Sequence, residues 1–244
     1  MGHIAYQYPG SELEVFAKAT RWKKYWSTMI KEHIGQRILE IGAGIGSNMS
    51  YYISNKTKSI TLIEPDKMLC TDLKNEYANN HSKLNIRVIN GCISSINSSE
   101  HKFDSILYID VLEHIEKDKE ELLNASKFLD KDGCIVILAP AHNYLYSTFD
   151  QAVGHFRRYN KQMLLLAAPS TLTLDKVSYI DSVGLLLSLA NKLILKKAIP
   201  NHRQIRFWDS KIIPISKKID RIINYSFGKT IIGIYKKLPT EIKQ

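Results

Sequence analysis

Short runs of apolar, mostly β-branched residues alternate with longer segments of mixed polarity between Gly35 and Ala141. Such runs are typical of buried strands, and the longer segments are typical of helices that cross from one strand to the next. Strands are predicted at Arg37 to Ile41, Ser59 to Glu64, Ile86 to Asn90, Phe103 to Asp110 and Gly133 to Pro140. Helices are predicted at about Ser47 to Ser54, Lys67 to Asn79 and Lys117 to Phe128. This order predicts a doubly wound α/β fold with a parallel sheet.

The segments on either side of this core follow other patterns. Ser11 to Ile34 begins with Ser-Glu-Leu-Glu, which fits a capping box, and continues with apolar residues at helical spacing, so one or two leading helices are expected. After Pro140 come an aromatic and basic loop, a short helix near Lys161 to Ala168, and strand-like runs at Leu174 to Ile180 and Lys229 to Lys236. About fifty residues separate those two runs, which predicts a partly helical insertion.

Composition excludes several classes of protein. The chain has 244 residues, 44% of them hydrophobic and 24% charged, which is typical of one globular domain and not of a disordered or coiled-coil protein. Cys70, Cys92 and Cys134 leave one cysteine over in any disulfide scheme and form no C-x-x-C pair. We therefore expect a reducing compartment and no metal site. Neither a signal peptide nor a membrane-spanning segment is predicted.

The formal net charge of +10 comes from one region. Residues 191 to 237 contain twelve Lys or Arg and two acids, Asp209 and Asp220. The stretch from Asp181 to Lys197, which overlaps the start of this region, has an apolar side and a basic end. The apolar side is formed by Leu185, Leu186, Leu189 and Leu193. A basic amphipathic helix of this kind either packs onto the core or lies at an anionic lipid surface.

The most informative stretch is Arg37 to Ser47, in which a buried strand runs directly into a glycine-rich turn and a helix. Gly42, Gly44 and Gly46 allow positive φ angles and a close approach of the backbone to a ligand. Glu64 ends the second predicted strand, where a carboxylate can accept hydrogen bonds from both hydroxyls of a ribose. The two features together predict a nucleoside site.

The glycine spacing distinguishes two kinds of nucleoside site. Dinucleotide sites have G-x-G-x-x-G, whereas this chain has G-x-G-x-G preceded by Glu40, a carboxylate that suits a cationic ligand. Here the chain resembles the class I S-adenosylmethionine-dependent methyltransferases, whose first motif reads E-x-G-x-G-x-G. The resemblance covers about residues 11 to 160 and continues through Glu64-Pro-Asp-Lys-Met68, Asn90-Gly-Cys-Ile93, Phe103-Asp104 and Asp110-Val-Leu-Glu-His-Ile115.

This resemblance implies a fold and a cofactor. The fold is a Rossmann-like, doubly wound sheet of seven strands, mostly parallel with an antiparallel last strand, with helices on both faces and the insertion before the last strand. The cofactor is S-adenosyl-L-methionine. We expect a single methyltransferase domain over 1–244, with leading helices at 11–34, a cofactor-binding core at 35–141, an acceptor loop at 142–170 and a basic insertion or cap at 181–228.

The resemblance also assigns cofactor contacts. It places Glu64 on the ribose hydroxyls and Asp66 and Met68 near the adenine. Cys92 stands where the family usually has an acid that binds the adenine amino group, so the backbone of Cys92 and Ile93 is left for that contact. The cofactor-binding residues that it implies are Glu40, Gly42, Gly44, Gly46, Glu64, Asp66, Met68, Cys92, Ile93, Asp110 and Val111, the last two near the amino acid moiety.

Methyl transfer from a sulfonium is an in-line displacement, in which positioning and exclusion of water supply most of the rate. Where a hydroxyl or ammonium acceptor needs a base, His114 and His155 are the catalytic candidates because histidine titrates near neutrality. His114 follows the fourth strand at the ligand-binding edge of the sheet, a position that also suits a histidine that caps a helix or lines the pocket. We expect O-methylation of a small-molecule or glycan-type acceptor.

The loop from Pro140 to Tyr159 is dense in aromatic, His and Arg side chains. Its second half looks like the D-x-x-x-G-H-[YF]-R-R-Y signature of a bacterial methyltransferase subgroup often linked with surface glycan and glycolipid pathways. The pair Arg157 and Arg158 suits a phosphate or carboxylate on the acceptor, and pairing of either arginine with Asp150 would explain the loop equally well. The predicted acceptor-binding residues are His142, Tyr146, Arg157, Arg158 and Tyr159.

Two rival functions remain open. A nicotinamide-dependent oxidoreductase would use the same fold with a different glycine spacing. A nucleic-acid methyltransferase or basic binding protein is suggested by the charge. However, strand 4 ends in Asp-Val-Leu-Glu and not in the Asn/Asp-Pro-Pro-aromatic sequence typical of methylation of base amino groups. The chain also has no Pro-Cys nucleophile of the cytosine-methylating type, so nucleic acid is not expected. We expect a cytoplasmic protein, with peripheral contact to an anionic inner membrane surface as a further expectation.

Overall fold

The computed structural model describes residues 6–10, 13–78, 84–97, 102–190 and 201–238. Seven strands in these residues form one sheet in the order β3-β2-β1-β4-β5-β7-β6. They are β1 Arg37–Ile41, β2 Ser59–Glu64, β3 Asn85–Asn90, β4 Phe103–Ile109, β5 Leu129–Pro140, β6 Leu172–Ile180 and β7 Thr230–Lys237. β7 runs antiparallel to β5 and β6, and β1 to β5 pair in parallel. The predicted Rossmann-like fold is therefore confirmed.

Helices cover both faces of the sheet. They are α1 Leu13–Ala17, α2 Thr20–Ile30, α3 Met49–Tyr52, α4 Lys67–Ala78, α5 Asp118–Ser126, α6 Thr148–Val153, α7 Lys161–Ala167, α8 Ser182–Ala190, α9 His202–Phe207 and α10 Ile213–Ile222. No helix in the described part of the chain is long and apolar enough to span a membrane. The residues Ser11 and Glu12 of the predicted capping box lie outside the described residues.

Most predicted elements lie within two residues of the observed ones, and the start of β5 is the larger difference. β5 begins at Leu129 and not at Gly133, because Leu129 pairs with Phe103 before the β4–β5 register shifts. α3 is shorter than predicted, since the glycine turn continues to Asn48 and Ile53 is extended.

Successive residues of the central strands pack on opposite faces of the sheet. Ile38 belongs to the core beneath α2, and Leu39 to the core that includes α5. Because both faces are covered, β1 is buried after its first residue, whereas the edge strand β3 alternates between exposed and half-buried positions. The sheet therefore presents its carboxyl ends as the open edge at which ligands bind in such folds.

Buried carboxylates fix the insertion between β6 and β7 to the leading helices. Asp209 accepts hydrogen bonds from the backbone N–H of Arg21 and Trp22 at 3.2 and 2.8 Å, which caps α2. Asp220 accepts one from the Tyr25 hydroxyl at 2.7 Å. The insertion and α2 are thereby held together on one side of the sheet.

The amphipathic helix predicted over Asp181 to Lys197 is only partly described, as α8, because residues 191–200 lie outside the described residues. Leu185 is buried, whereas Leu186 is 60% exposed. The predicted apolar side is therefore only partly buried within α8. Leu193 and the lysines at its end are among the residues outside the description.

Candidate active site

A cavity of about 420 Å³ lies at the carboxyl edge of the sheet. The turn after β1 and the ends of β2 and β4 form its floor, and α1, α2, the loop before Arg158 and the insertion residue Trp208 close it. Those elements come from distant parts of the sequence, so one cavity collects side chains from the leading helices, the core and the insertion.

The glycine turn shapes one wall of the cavity. Gly42, Gly44 and Gly46 all have positive φ, at 66°, 56° and 71°. A Cβ placed on Gly44 would meet nothing nearer than Leu13 at 3.8 Å, an ordinary contact with another residue that lines the cavity.

The other two glycines serve the packing of the turn. A Cβ on Gly42 would lie 2.7 Å from Val111, and one on Gly46 would lie 2.7 Å from Leu73. Gly46 does not line the cavity. Of the three glycines, Gly44 is therefore the one whose missing side chain leaves room for a ligand.

Glu64 lies at the end of β2 with its carboxylate buried beside this turn. Its two oxygens accept hydrogen bonds from the backbone N–H of Gly44 at 2.7 Å and of Asp66 at 2.9 Å. Burial raises the pKa of Glu64. Each carboxylate oxygen has a second lone pair, and Glu64 lines the cavity, so the group can accept further hydrogen bonds from a ligand diol.

Three residues that were predicted to contact the cofactor do not line the cavity: Glu40, Asp66 and Met68. Glu40 does not line the cavity, and its carboxylate accepts a hydrogen bond from the Tyr52 hydroxyl at 2.6 Å. Asp66 accepts hydrogen bonds from the backbone N–H of Met68 and Tyr8, at 2.8 and 2.9 Å, and so holds the start of α4. The Met68 side chain is 74% exposed.

The residues predicted to lie near the adenine also differ in whether they line the cavity. Cys92 lines the cavity, whereas Ile93 is buried in the core. Leu69, one residue past Met68, lines the cavity and was not predicted. The rotation of α4 decides which of these two side chains points inward, and the motif pattern alone does not give that rotation.

Lys23 is a second lining residue that the sequence analysis did not identify. It lies on α2, and its ammonium donates to the Ser47 carbonyl at 2.9 Å and to the Ser47 hydroxyl at 2.5 Å. Burial lowers the pKa of Lys23 to about 8, and Glu40 and Asp110 oppose this effect. In the sequence Lys23 is one of two adjacent lysines among the aromatic residues of α2, and only the tertiary fold places it against the glycine turn.

The opposite end of the cavity holds ionisable groups. Asp110, with a positive φ of 54°, and Val111 follow β4 and line the cavity, as do Glu113, His114 and His155. The rings of His114 and His155 meet edge to face with their centroids 4.6 Å apart. Burial lowers the pKa of His114 to about 4, helped by His155, so His114 is neutral at physiological pH.

Glu113 is fully buried at this end. Burial raises its pKa well above the ordinary range of a carboxyl group, and the nearby charge of Asp110 adds to this. Neither carboxylate oxygen has a hydrogen-bond partner among the described residues. The sequence analysis did not single out this residue.

The signature loop, which is the loop from Pro140 to Tyr159 that contains the D-x-x-x-G-H-[YF]-R-R-Y sequence, is organised around Asp150. Arg158 donates two hydrogen bonds to the Asp150 carboxylate, at 2.8 and 2.9 Å, and His155 Nδ1 lies 2.8 Å from the same group. Arg158 and His155 line the cavity. The pairing with Asp150 that the sequence left open is therefore made by Arg158.

The other predicted acceptor residues do not line the cavity. Arg157 is held by the Asp118 carboxylate at 2.7 Å and by the carbonyl of Glu116 at 2.6 Å. Tyr159 donates to Asp118 at 2.8 Å, and Tyr146 donates to the His155 carbonyl at 2.5 Å. Arg157 and Tyr159 therefore fix the loop against the segment after β4, and Tyr146 joins two parts of the loop itself.

His142 lies apart from the cavity, within an aromatic stack. Its ring is parallel to that of Tyr179 at 5.0 Å and stacks on that of Tyr144 at the same distance. Burial lowers its pKa. The geometry does not bring it together with His114 and His155.

Comparisons with known proteins agree with this architecture. Residues 39–135 match the family described as Methyltransferase domain. No protein with a curated description matches the chain by sequence.

Several solved structures share the fold at low sequence identity. The cyclopropane synthase MmaA2 from Mycobacterium tuberculosis is 14% identical, with a TM-score of 0.58, and the alignment covers 88% of this chain and 83% of that one. A putative sarcosine dimethylglycine methyltransferase from Galdieria sulphuraria is 14% identical, with a TM-score of 0.59 and coverage of 91% and 85%. Geranyl diphosphate methyltransferase in complex with SAM is 12% identical, with a TM-score of 0.61 and coverage of 94% and 91%. The chain thus has a Rossmann-like methyltransferase fold, and residues 39–135 match the model of the methyltransferase domain family.

Proposed function

We propose that this chain is an S-adenosylmethionine-dependent methyltransferase. One observation carries the proposal: the buried carboxylate of Glu64 and the backbone of Gly44 lie side by side in the cavity at the carboxyl edge of the sheet. A carboxylate that can accept hydrogen bonds from a diol, next to a glycine-rich turn, fits a nucleoside. The match to the methyltransferase domain family and the SAM bound to geranyl diphosphate methyltransferase support this choice of nucleoside.

The residues present fit such a cofactor along its whole length. Glu64 would accept hydrogen bonds from the ribose hydroxyls, and Leu69 and Cys92 would contact the adenine. Lys23 would pair with the carboxylate of the methionine moiety, because it is the cation that faces the glycine turn. Once bound, S-adenosylmethionine would supply an electrophilic methyl group.

The acceptor end favours an oxygen nucleophile on a small, anionic molecule. His114 and His155 face the cavity there, where an imidazole can assist the loss of a hydroxyl proton. The Nη1 group of Arg158 is buried without a hydrogen-bond partner among the described residues, and it lines the same cavity. A phosphate or carboxylate would satisfy it, which supports an acceptor of the glycan or glycolipid type.

We also propose that the protein touches anionic membrane surfaces from the cytoplasmic side. On α10, Ile215, Ile219 and Ile222 are spaced for one helix face and are exposed. Lys218 lies beside this face, and the two acids of the basic region, Asp209 and Asp220, are buried. An exposed apolar stripe next to lysines is typical of a helix that lies at an anionic interface.

Isothermal titration tests the cofactor assignment. We expect S-adenosylhomocysteine to bind the wild type and NAD⁺ not to bind. Glu64→Ala should lose about 1 to 3 kcal/mol of binding free energy, because the ribose hydroxyls lose a charged partner. Glu76→Ala, an exposed carboxylate on α4, is the matched control and should bind as the wild type does.

Either of two outcomes would reject the proposal. One is binding of NAD⁺ without binding of S-adenosylhomocysteine, which would favour the oxidoreductase. The other is unchanged affinity in a Glu64→Ala variant whose circular dichroism matches that of the wild type.

A further inference from the structure

We propose that Glu113, His114 and His155 bind a first-row divalent metal ion at the acceptor end of the cavity. Each offers one ligand atom, and these atoms lie within 4.8 Å of one another. His155 Nε2 is 3.9 Å from a carboxylate oxygen of Glu113. All three residues line the cavity, so an ion there would be accessible to a small molecule.

The buried carboxylate of Glu113 is the feature that most favours a bound cation at this position. It is fully buried, and both of its oxygens are without a hydrogen-bond partner among the described residues. Its backbone is fixed, because the Glu113 carbonyl accepts a hydrogen bond from the N–H of Phe156 at 2.8 Å. An unpaired buried carboxylate is destabilising, and coordination of a cation would remove that cost.

The two histidines are already oriented as metal ligands usually are. His155 Nδ1 lies 2.8 Å from Asp150, which Arg158 holds in turn, so Nε2 is left to face Glu113. His114 is hydrogen-bonded to the backbone of Gly154. A ligating histidine typically gives its second ring nitrogen to a carboxylate or a backbone carbonyl, and the loop supplies one of each.

The donor set selects the class of metal. Two imidazoles and one carboxylate suit zinc, manganese, iron or cobalt, whereas magnesium and calcium prefer oxygen ligands. Metal–ligand bonds of about 2.1 Å place neighbouring ligand atoms roughly 3 to 3.5 Å apart. The ligand atoms of Glu113 and His155 are 3.9 Å apart and no pair is more than 4.8 Å apart, so binding needs side-chain shifts of about 1 Å.

Such an ion would have a defined role toward the acceptor, and this role rests on the proposed methyltransferase function. Three protein ligands leave coordination positions open for acceptor oxygens. A hydroxyl bound there would have a lowered pKa. The sequence analysis predicted no metal site because the chain has no C-x-x-C pair. Glu113 and His114 are adjacent and His155 lies 42 positions beyond Glu113, which is not a recognisable ligand spacing.

Calorimetric titration of the chelator-treated full-length chain with Zn²⁺, Mn²⁺ and Mg²⁺ tests the proposal. We expect one equivalent of Zn²⁺ or Mn²⁺ to bind and Mg²⁺ to bind at least tenfold more weakly. Glu113→Gln and His155→Gln should each weaken Zn²⁺ or Mn²⁺ binding by at least a hundredfold. The matched controls are the exposed residues Glu116 and His202; Glu116→Gln and His202→Gln should bind as the wild type does.

Thermal unfolding gives a second readout on the same proteins. Saturating Zn²⁺ should raise the Tm of the wild type and of both controls, because it binds the folded state, but not that of Glu113→Gln. Glu113→Gln preserves the shape of the side chain and puts no ionisable group in the buried site, so it should fold.

The metal proposal is overturned if the wild type binds none of these ions stoichiometrically, or if Glu113→Gln binds them as the wild type does. Titration with S-adenosylhomocysteine in parallel separates this failure from failure of the proposed function. Cofactor binding without metal binding contradicts the metal site alone. Metal binding without cofactor binding contradicts the methyltransferase assignment alone.

Discussion

At the scale of single residues, two carboxylates from neighbouring strands have different surroundings. Glu40 and Glu64 were both predicted to contact the cofactor. Glu64 lines the cavity, whereas Glu40 is enclosed by Tyr52 and Asn48. The sequence gives the strand on which each acid lies, but the side toward which a residue near a strand end turns depends on the helices that pack there.

The enclosure of Glu40 predicts a pH-dependent stability. Burial raises its pKa from 4.5 to about 7, although Tyr52 opposes this. A group whose pKa is raised in the folded state contributes stability below its unfolded pKa, and this contribution is lost as pH rises through the folded pKa. The loss should reach about 3 kcal/mol between pH 4.5 and pH 8.

Urea denaturation at pH 5, 6, 7 and 8 measures this effect. The decrease in unfolding free energy over this range should be smaller in Glu40→Gln than in the wild type by roughly 2 to 3 kcal/mol, since glutamine carries no ionisable proton. Glu76→Gln, exposed on α4, should follow the wild type. Parallel curves for the wild type and Glu40→Gln would show that Glu40 has an ordinary pKa.

At the scale of elements, the glycine turn combines two functions that substitution can separate. A methyl group on Gly44 enters the cavity, whereas one on Gly46 collides with Leu73 and Tyr77. Both positions have positive φ, so each alanine costs about 1 kcal/mol of backbone strain.

We therefore expect Gly44→Ala to lose most of its affinity for S-adenosylhomocysteine while its stability falls by only about 1 kcal/mol. Gly46→Ala should be less stable by a further 1 to 3 kcal/mol, because overpacking adds to the strain. Calorimetry and urea denaturation on both variants measure the two effects. Equal losses of stability would contradict the division of roles within the turn.

The signature loop makes a similar distinction between two adjacent arginines. Arg158 is buried and paired with Asp150, while Arg157 is partly exposed and contacts Asp118 and backbone carbonyls. Removal of one partner of a buried pair leaves an uncompensated charge. Arg158→Gln should therefore lower the free energy of unfolding by about 3 kcal/mol or more.

Arg157→Gln is the matched comparison, and it should cost about 1 kcal/mol because its ion pair is accessible to water. Chemical denaturation of the two single variants gives both values. If Arg157→Gln proved the more destabilising of the two, the loop would not be organised around Asp150.

At the scale of the whole molecule, the sequence predicted the sheet and missed the way the cavity is closed. Parallel strands covered on both faces have continuous apolar runs, so β1, β2 and β4 were predicted to within one residue. The closure depends on contacts such as that between Asp209 and the Trp22 backbone, which are 187 residues apart. No local pattern encodes a contact of that kind.

The exposed isoleucines of α10 predict how the whole protein meets a lipid surface. The wild type should float with vesicles that contain phosphatidylserine at low salt, and it should be released at 0.5 M salt or from purely zwitterionic vesicles. Ile222 is 82% exposed, so Ile222→Glu should reduce the bound fraction severalfold without loss of stability.

Leu123→Glu is the control, because Leu123 is also exposed but lies on α5, against the opposite core of the sheet. It should bind vesicles as the wild type does. Equal binding by the wild type and Ile222→Glu, or binding that ignores lipid charge, would contradict membrane contact through α10.

A crystal structure of the protein with S-adenosylhomocysteine tests the central claim most directly. We expect the ribose hydroxyls within hydrogen-bonding distance of Glu64, the backbone of Gly44 against the ligand, the adenine between Leu69 and Cys92, and the ligand carboxylate near Lys23. A ligand bound elsewhere, or oriented with its ribose away from Glu64, would contradict the account.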